Sequence, residues 1–218
     1  MEEIEKWYTR NKLKLNPLKT EYILICPNRT KEHYNKINIC VGKQIIQPKE
    51  YTKILGVHIS DTLSWDKHTT ILTGQLKTAY RSFNRVCDHL DTDTKRLLYN
   101  ASIASRMNYC DTIWDHCGEY NKRRLQTIQN LCARKITRSM PGASAPPLIR
   151  KLGWLDLETK RQLHKCVLLH RLLHGTGPNV LKEELVRFIR TDDNRSTRAN
   201  TNMDFLVHQC RTDYLRKS

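Results

Sequence analysis

The sequence predicts a mostly helical α+β protein, with a small antiparallel sheet followed by a helical bundle. Two observations carry this. Short β-branched and aromatic runs, broken by Gly, Pro and Asn, lie within about the first sixty residues. From Leu72 onward the apolar residues recur instead at steps of three and four. The composition, 39% hydrophobic and 28% charged, suits a globular chain with polar segments.

Residues 2–11 place Ile4, Trp7 and Tyr8 on one helical face, and Asn16-Pro17 stops that helix or its extension. Tyr22-Ile23-Leu24-Ile25-Cys26 reads as a strand closed by Pro27-Asn28, with residues 28–35 as polar loop. Ile37 to Val41 alternates apolar and polar, and Gly42-Lys43 turns it into Gln44-Ile45-Ile46 as a hairpin. Tyr51 to Ile59 reads as one further strand. Leu72, Leu76, Ala79, Phe83, Val86 and Leu90 then form the stripe of a long amphipathic helix. Asp91 or Thr92 caps the next helix, with Leu97, Leu98, Ala101 and Ala104 inward. A third helix holds Leu125, Ile128, Leu131, Cys132 and Ile136 and ends at Pro141-Gly142. Pro146-Pro147 opens a short helical turn that stops at Gly153. Thr159 to His174 is another helix, closed by Gly175, and Pro178 begins a last one to about Arg187. The expected domains are 1–62, 63–189 and a polar, flexible tail at 190–218.

Net charge is +16, spread over the whole chain: +5 in residues 1–60, +5 in 61–140 and +6 in 141–218. A field that wide favours a polyanion, most commonly nucleic acid, over a merely basic surface with no specific partner. No run of 18 apolar residues suggests a membrane span. The acidic, amphipathic start Met1-Glu2-Glu3-Ile4-Glu5-Lys6-Trp7 is unlike a signal peptide. Eight cysteines without a C-x-x-C pair read as reduced, largely buried thiols of an intracellular protein, nuclear or cytoplasmic.

Several blocks, in order, resemble one family. They are Leu15-Asn16 with Lys19-Thr20-Glu21; Leu55-Gly56-Val57 followed by Leu63-Ser64-Trp65 and His68; and Ser105-Arg106-Met107-Asn108-Tyr109-Cys110. Further on come Leu125-Gln126-Thr127-Ile128-Gln129-Asn130 with Ala133-Arg134, and Pro146-Pro147-Leu148 with Leu152-Gly153-Trp154-Leu155. Their wording and spacing, over about residues 4–190, resemble the reverse transcriptases of non-LTR retrotransposons (LINE-type, jockey/CR1-like), from the closing segment of the palm into the thumb.

The resemblance implies that the sheet is a palm remnant and the helices a thumb that grips the template–primer duplex of RNA and DNA. Lys19 would sit near the triphosphate of the incoming nucleotide; its plainer reading is a solvated lysine at a helix–strand junction. Leu55-Gly56-Val57 would form the primer grip, where glycine lets backbone approach a strand closely; the plainer reading is a kink in a buried strand. Lys77, Arg81 and Arg85 on the long helix, and Arg123, Arg124, Arg134 and Lys135 on the third, would bind phosphates without reading sequence. An ordinary charged helix face is the alternative.

The family's activity is RNA-templated DNA synthesis, a nucleotidyl transfer aided by Mg²⁺ on paired carboxylates. Its aromatic-x-Asp-Asp turn lies upstream of the first block, outside this chain, so the chain by itself is expected not to catalyse the reaction. Asp192-Asp193 sits in a polar stretch unlike a metal-binding turn. Cys110, His116 and Cys117 fit no common zinc module, and Arg171 between His170 and His174 breaks the His-Glu-x-x-His pattern. Two other readings stay open: a stand-alone nucleic-acid-binding protein derived from a retrotransposon, and a remnant with no function.

Overall fold

The computed structural model describes residues 2–26, 38–42 and 44–186. The described chain is α+β and mostly helical, as the sequence predicts. Its contacts divide it into two units, residues 1–107 with 117–128, and residues 108–116 with 129–218.

In the first unit, α1 (Glu2–Arg10) ends six residues before Asn16, earlier than Asn16-Pro17 would require. Lys12 takes a left-handed φ of 56° there, and Leu13 N–H closes the turn on the Tyr8 carbonyl at 2.8 Å. Asn16 instead caps a 3-10 turn, Pro17–Lys19, accepting from Leu18 N–H. The strand expected at Tyr22–Cys26 does not form; Tyr22 makes a single parallel bridge to Pro48, and Pro27-Asn28 lies outside the described residues. The first hairpin forms as expected from β1 (Ile39–Val41) and β2 (Gln44–Ile46), antiparallel with Ile39 opposite Ile46. The expected single strand Tyr51–Ile59 is a second hairpin, β3 (Tyr51–Ile54) and β4 (Val57–Ser60), with Tyr51 opposite Ser60. The two ladders do not join into one sheet.

β4 leads into α2 (Asp66–Val86), the predicted long helix. Leu72, Leu76 and Phe83 are buried on its inner side, Leu76 completely, each contributing about 1.5–3 kcal/mol. The stripe does not reach Val86, which is exposed; the next residue, Cys87, is buried instead and opens a 3-10 turn, Cys87–His89. Asp91 caps α3 (Thr92–Tyr99), its carboxylate accepting from the N–H groups of Asp93 and Thr94. A π-helical segment, Asn100–Ala104, joins α3 to α4 (Ser105–Met107), with Ser105 N–H donating to the Asn100 carbonyl. That i→i+5 bond re-phases the helix. Lys95, Tyr99, Ile103 and Met107 face inward at steps of four, whereas Leu97 and Ala101 are exposed, contrary to the expected inward set.

α5 (Asp111–Trp114) opens the second unit, after Cys110 at φ 51°. In α6 (Glu119–Thr137), residues up to Ile128 belong to the first unit and those from Gln129 to the second. Asn121 Nδ2 donates to Asp66 Oδ1 at 2.7 Å, fixing the start of α6 on the start of α2. In the second unit, Cys132, Ala133 and Ile136 of α6 are buried, as are Ala145 and Ile149 of α7 (Ala145–Lys151). Gly153 and Gly175 end α7 and α8 (Leu157–Leu173) at φ 68° and 75°, as expected. Asp156 caps α8 through Thr159 N–H, so the helix starts two residues before the expected Thr159. α9 (Asn179–Val186) packs against α8. The expected polar tail at 190–218 and Asp192-Asp193 lie outside the described residues.

Candidate nucleic-acid interface

The Leu55-Gly56 turn is built by its own hairpin. Ile54 and Val57 are the last paired residues, leaving two residues to reverse the chain. Leu55 has φ 47° and Gly56 φ 90°. Positive φ at both central residues is the type I′ turn, whose twist matches that of the flanking strands. Glycine takes this conformation freely; leucine pays about 1 kcal/mol for it. The strained leucine is 85% exposed, so burial does not compensate it. Val57, directly after the turn, is buried and anchors the hairpin.

Lys19 ends the short turn that Asn16 caps, and its side chain is exposed. Two residues on, Glu21 ties this block to the second hairpin. Its carboxylate pairs with Lys49 Nζ and accepts from Thr52 Oγ1 at 2.9 Å. Those hydrogen bonds, Lys49's first, hold the Glu21 carboxyl below the usual range. A shallow cleft of about 420 Å³ opens there, lined by Glu21, Lys49, Glu50, Tyr51, Thr52, Lys53 and His58. Lys67 Nζ, from the first turn of α2, lies 4.6 Å above the ring of Tyr51 on this hairpin, a cation–π contact that sequence reasoning missed. Its partners are sixteen residues apart, with no periodic relation to signal it.

On α2, Lys77, Arg81 and Arg85 are exposed and four residues apart. They make a row about 12 Å long on one helix side, the length of three to four nucleotides along one strand at about 3.4 Å each. Arg123 on α6 is exposed, and Arg124, half-buried, holds its guanidinium 5.3 Å from the centre of the Tyr120 ring. These five cations, Lys19 and the Leu55-Gly56 turn all belong to the first unit. Arg134 and Lys135 belong to the second, and both are half-buried. Arg134 Nε donates to the Ala143 carbonyl at 2.8 Å, closing the loop after α6. That bond engages one edge of the guanidinium in structure.

Exposed cations in a row present donors of the kind that bind phosphate by charge. Among the described residues no three His, Cys, Asp or Glu side chains are placed to hold a metal ion. His170 and His174 stack with ring centres 4.2 Å apart. The described cysteines form no disulfide among themselves, and Cys87, Cys117 and Cys132 are buried. No described helix is long and apolar enough to cross a membrane. No family model, curated protein or solved structure matches the chain.

Proposed function

We propose that this chain is the template–primer-gripping part of an RNA-directed DNA polymerase of the non-LTR retrotransposon type. The exposed Lys77-Arg81-Arg85 row carries this reading: three cations at one helical repeat, on the side of α2 away from Leu72, Leu76 and Phe83. Such a row suits a regularly spaced polyanion. The Leu55-Gly56 turn supports it, because an exposed, strained apolar residue at a hairpin tip gains from a surface laid against it.

A second observation favours a role inside a larger enzyme. Before Val57, the described apolar side chains that are buried are Val41 and Ile46, while Ile4, Trp7, Leu13, Leu18, Ile25, Ile45, Ile54 and Leu55 are exposed. That much apolar surface suits a region that packs against further protein. The Mg²⁺ chemistry of the parent activity requires carboxylates elsewhere. The residues of this chain supply binding and positioning, which lower the barrier by orienting the reactants.

The test is fluorescence anisotropy of a labelled RNA–DNA hybrid titrated with the protein at several salt concentrations. Binding through five phosphate contacts weakens on the order of a hundredfold between about 50 and about 200 mM salt. No binding at the lower salt rejects the reading and leaves the remnant. Tight binding with no salt dependence rejects the phosphate grip.

A further inference from the structure

One face of the second hairpin gathers cations. Tyr51 and Lys53 alternate onto the same side of β3, and Lys53 lies directly opposite His58 of β4. The His58 N–H points away from β3, to His68 Nδ1. Lys53 and His58 are therefore a non-hydrogen-bonded pair, the kind whose side chains stand closer, with Cβ atoms about 4.5–5.5 Å apart. From α2, Lys67 Nζ stands 4.6 Å above the Tyr51 ring. Tyr51, Lys53 and His58 all line the shallow cleft of about 420 Å³.

The carboxylates at the cleft do not balance these charges. Glu21 is engaged by Lys49 and Thr52. Glu50 directly precedes Tyr51, so strand alternation turns its side chain to the opposite face. Among the described residues no carboxylate pairs with Lys53, Lys67 or His58. Like charges facing one another across strands destabilise a hairpin. The His58 imidazole responds to that crowding: burial first, then Lys53 and Lys67, push it below 6.5. An anion set among the three groups removes the repulsion and favours a proton on His58, making all three positive. A phosphate diester within a nucleic-acid chain brings one negative charge. A phosphate monoester brings about 1.5 to 2 at neutral pH and is the better match.

We propose that this face of the hairpin binds a phosphate monoester, held by Lys53, Lys67 and His58. None of these residues belongs to the Lys77-Arg81-Arg85 row, so the site does not rest on that row. Two sources share the chemistry: the phosphorylated end of a nucleic-acid strand and a free nucleotide. The full chain is titrated with adenosine monophosphate, and the His58 ring signals, assigned with His58→Gln, are followed by NMR. A saturable shift is expected. Lys53→Gln combined with Lys67→Gln is expected to weaken binding about tenfold. Both lysines are exposed, and circular dichroism and thermal unfolding check that the double variant keeps its fold. Lys14→Gln, at an exposed lysine that does not line the cleft, is expected to bind as the natural chain does. Natural affinity in the double variant overturns the proposal. So does adenosine shifting the signals as strongly as its monophosphate, or dimethyl phosphate binding as tightly as methyl phosphate. RNA–DNA hybrids ending in a 5′-phosphate or a 5′-hydroxyl then separate the sources. Tighter binding of the phosphorylated hybrid assigns the site to a strand end, and equal binding assigns it to a free nucleotide. Because the first probe is a mononucleotide, its failure leaves the salt titration of the hybrid to be judged by its own result.

Discussion

Arg161 donates from Nε to Asp115 Oδ1 at 2.6 Å, with both side chains nearly enclosed, at 4% and 13% exposure. Its guanidinium also lies 5.6 Å from the centre of the Trp114 ring, which is fully buried. Lys165 Nζ takes the other Asp115 oxygen at 2.7 Å, and one turn earlier Asp111 meets His164 Nδ1 at 2.7 Å. Two carboxylates of the α5 region thus bind one side of α8. Burial pushes the Asp115 carboxyl up, but the Lys165 hydrogen bond and the charges of Lys165 and Arg161 outweigh it and hold it below 3.8. Burial pushes the neighbouring Lys160 ammonium down, against the pull of Asp111.

Removing one partner strands the other. Arg161→Ala is expected to cost about 3–5 kcal/mol, read from urea denaturation, because Asp115 stays enclosed with Lys165 alone. Asp115→Leu combined with Arg161→Leu is expected to lose less than the sum of the single changes. An Arg161→Ala loss below about 1 kcal/mol would show that the pair contributes little.

A pH dependence follows from His58 and His68 in the first unit. His58 on β4 donates its backbone N–H to His68 Nδ1 at 3.4 Å, with the rings 6.3 Å apart. Burial lowers both imidazoles below their ordinary 6.5; Lys53 and Lys67 add to this at His58, and His58 adds to it at His68. Protonating His68 Nδ1 would also remove the acceptor. The unfolded chain therefore binds protons first as pH drops, so stability is full above 6.5 and is lost as pH falls toward the folded values. The midpoint of thermal unfolding is expected to fall between about pH 7.5 and about pH 5.5, and His68→Gln to flatten that fall. A midpoint that rises on acidification would contradict the sign.

The fold class was legible because its signals are local and repetitive. The step of three and four on α2 and the Gly42 turn each lie within one element. What was not legible came from changes of phase. The π segment at Asn100–Ala104 moves Leu97 outward and brings Lys95 to 1% exposure, though nothing in the composition of that stretch marks a five-residue turn. Ile54-Leu55-Gly56-Val57 reads as one apolar strand because leucine is a poor residue for a left-handed turn. Of the interface positions, the exposed cations of α2 could be found from helical spacing alone. The engagement of Arg134 with Ala143 could not, because a carbonyl partner leaves no trace in residue type.

Leu55 and Gly56 separate stability from binding. Leu55→Asn places a residue suited to positive φ in the type I′ turn, and is expected to raise stability by about 0.5–1 kcal/mol. Gly56→Val forces a β-branched residue to φ 90°, and is expected to cost about 2 kcal/mol or more. If the exposed leucine meets the primer strand, Leu55→Asn should weaken hybrid binding while stabilising the protein, and the two effects are measured on one preparation. Unchanged affinity in Leu55→Asn removes the turn from the interface.

The row on α2 makes a quantitative demand on the salt dependence. Each phosphate contact contributes about 0.7–0.9 to the slope of log affinity against log salt. Changing Lys77, Arg81 and Arg85 together to glutamine is expected to lower that slope by about 2–3. The three side chains are exposed and α2 keeps its buried face, so thermal stability should stay within about 0.5 kcal/mol of the natural chain. Arg134→Gln is expected to do the reverse, lowering stability through the lost Ala143 bond while changing the slope by at most about one contact. A triple variant with the natural slope would place the nucleic acid on another surface, and equal slopes with lower affinity would mean the row acts through shape instead of charge.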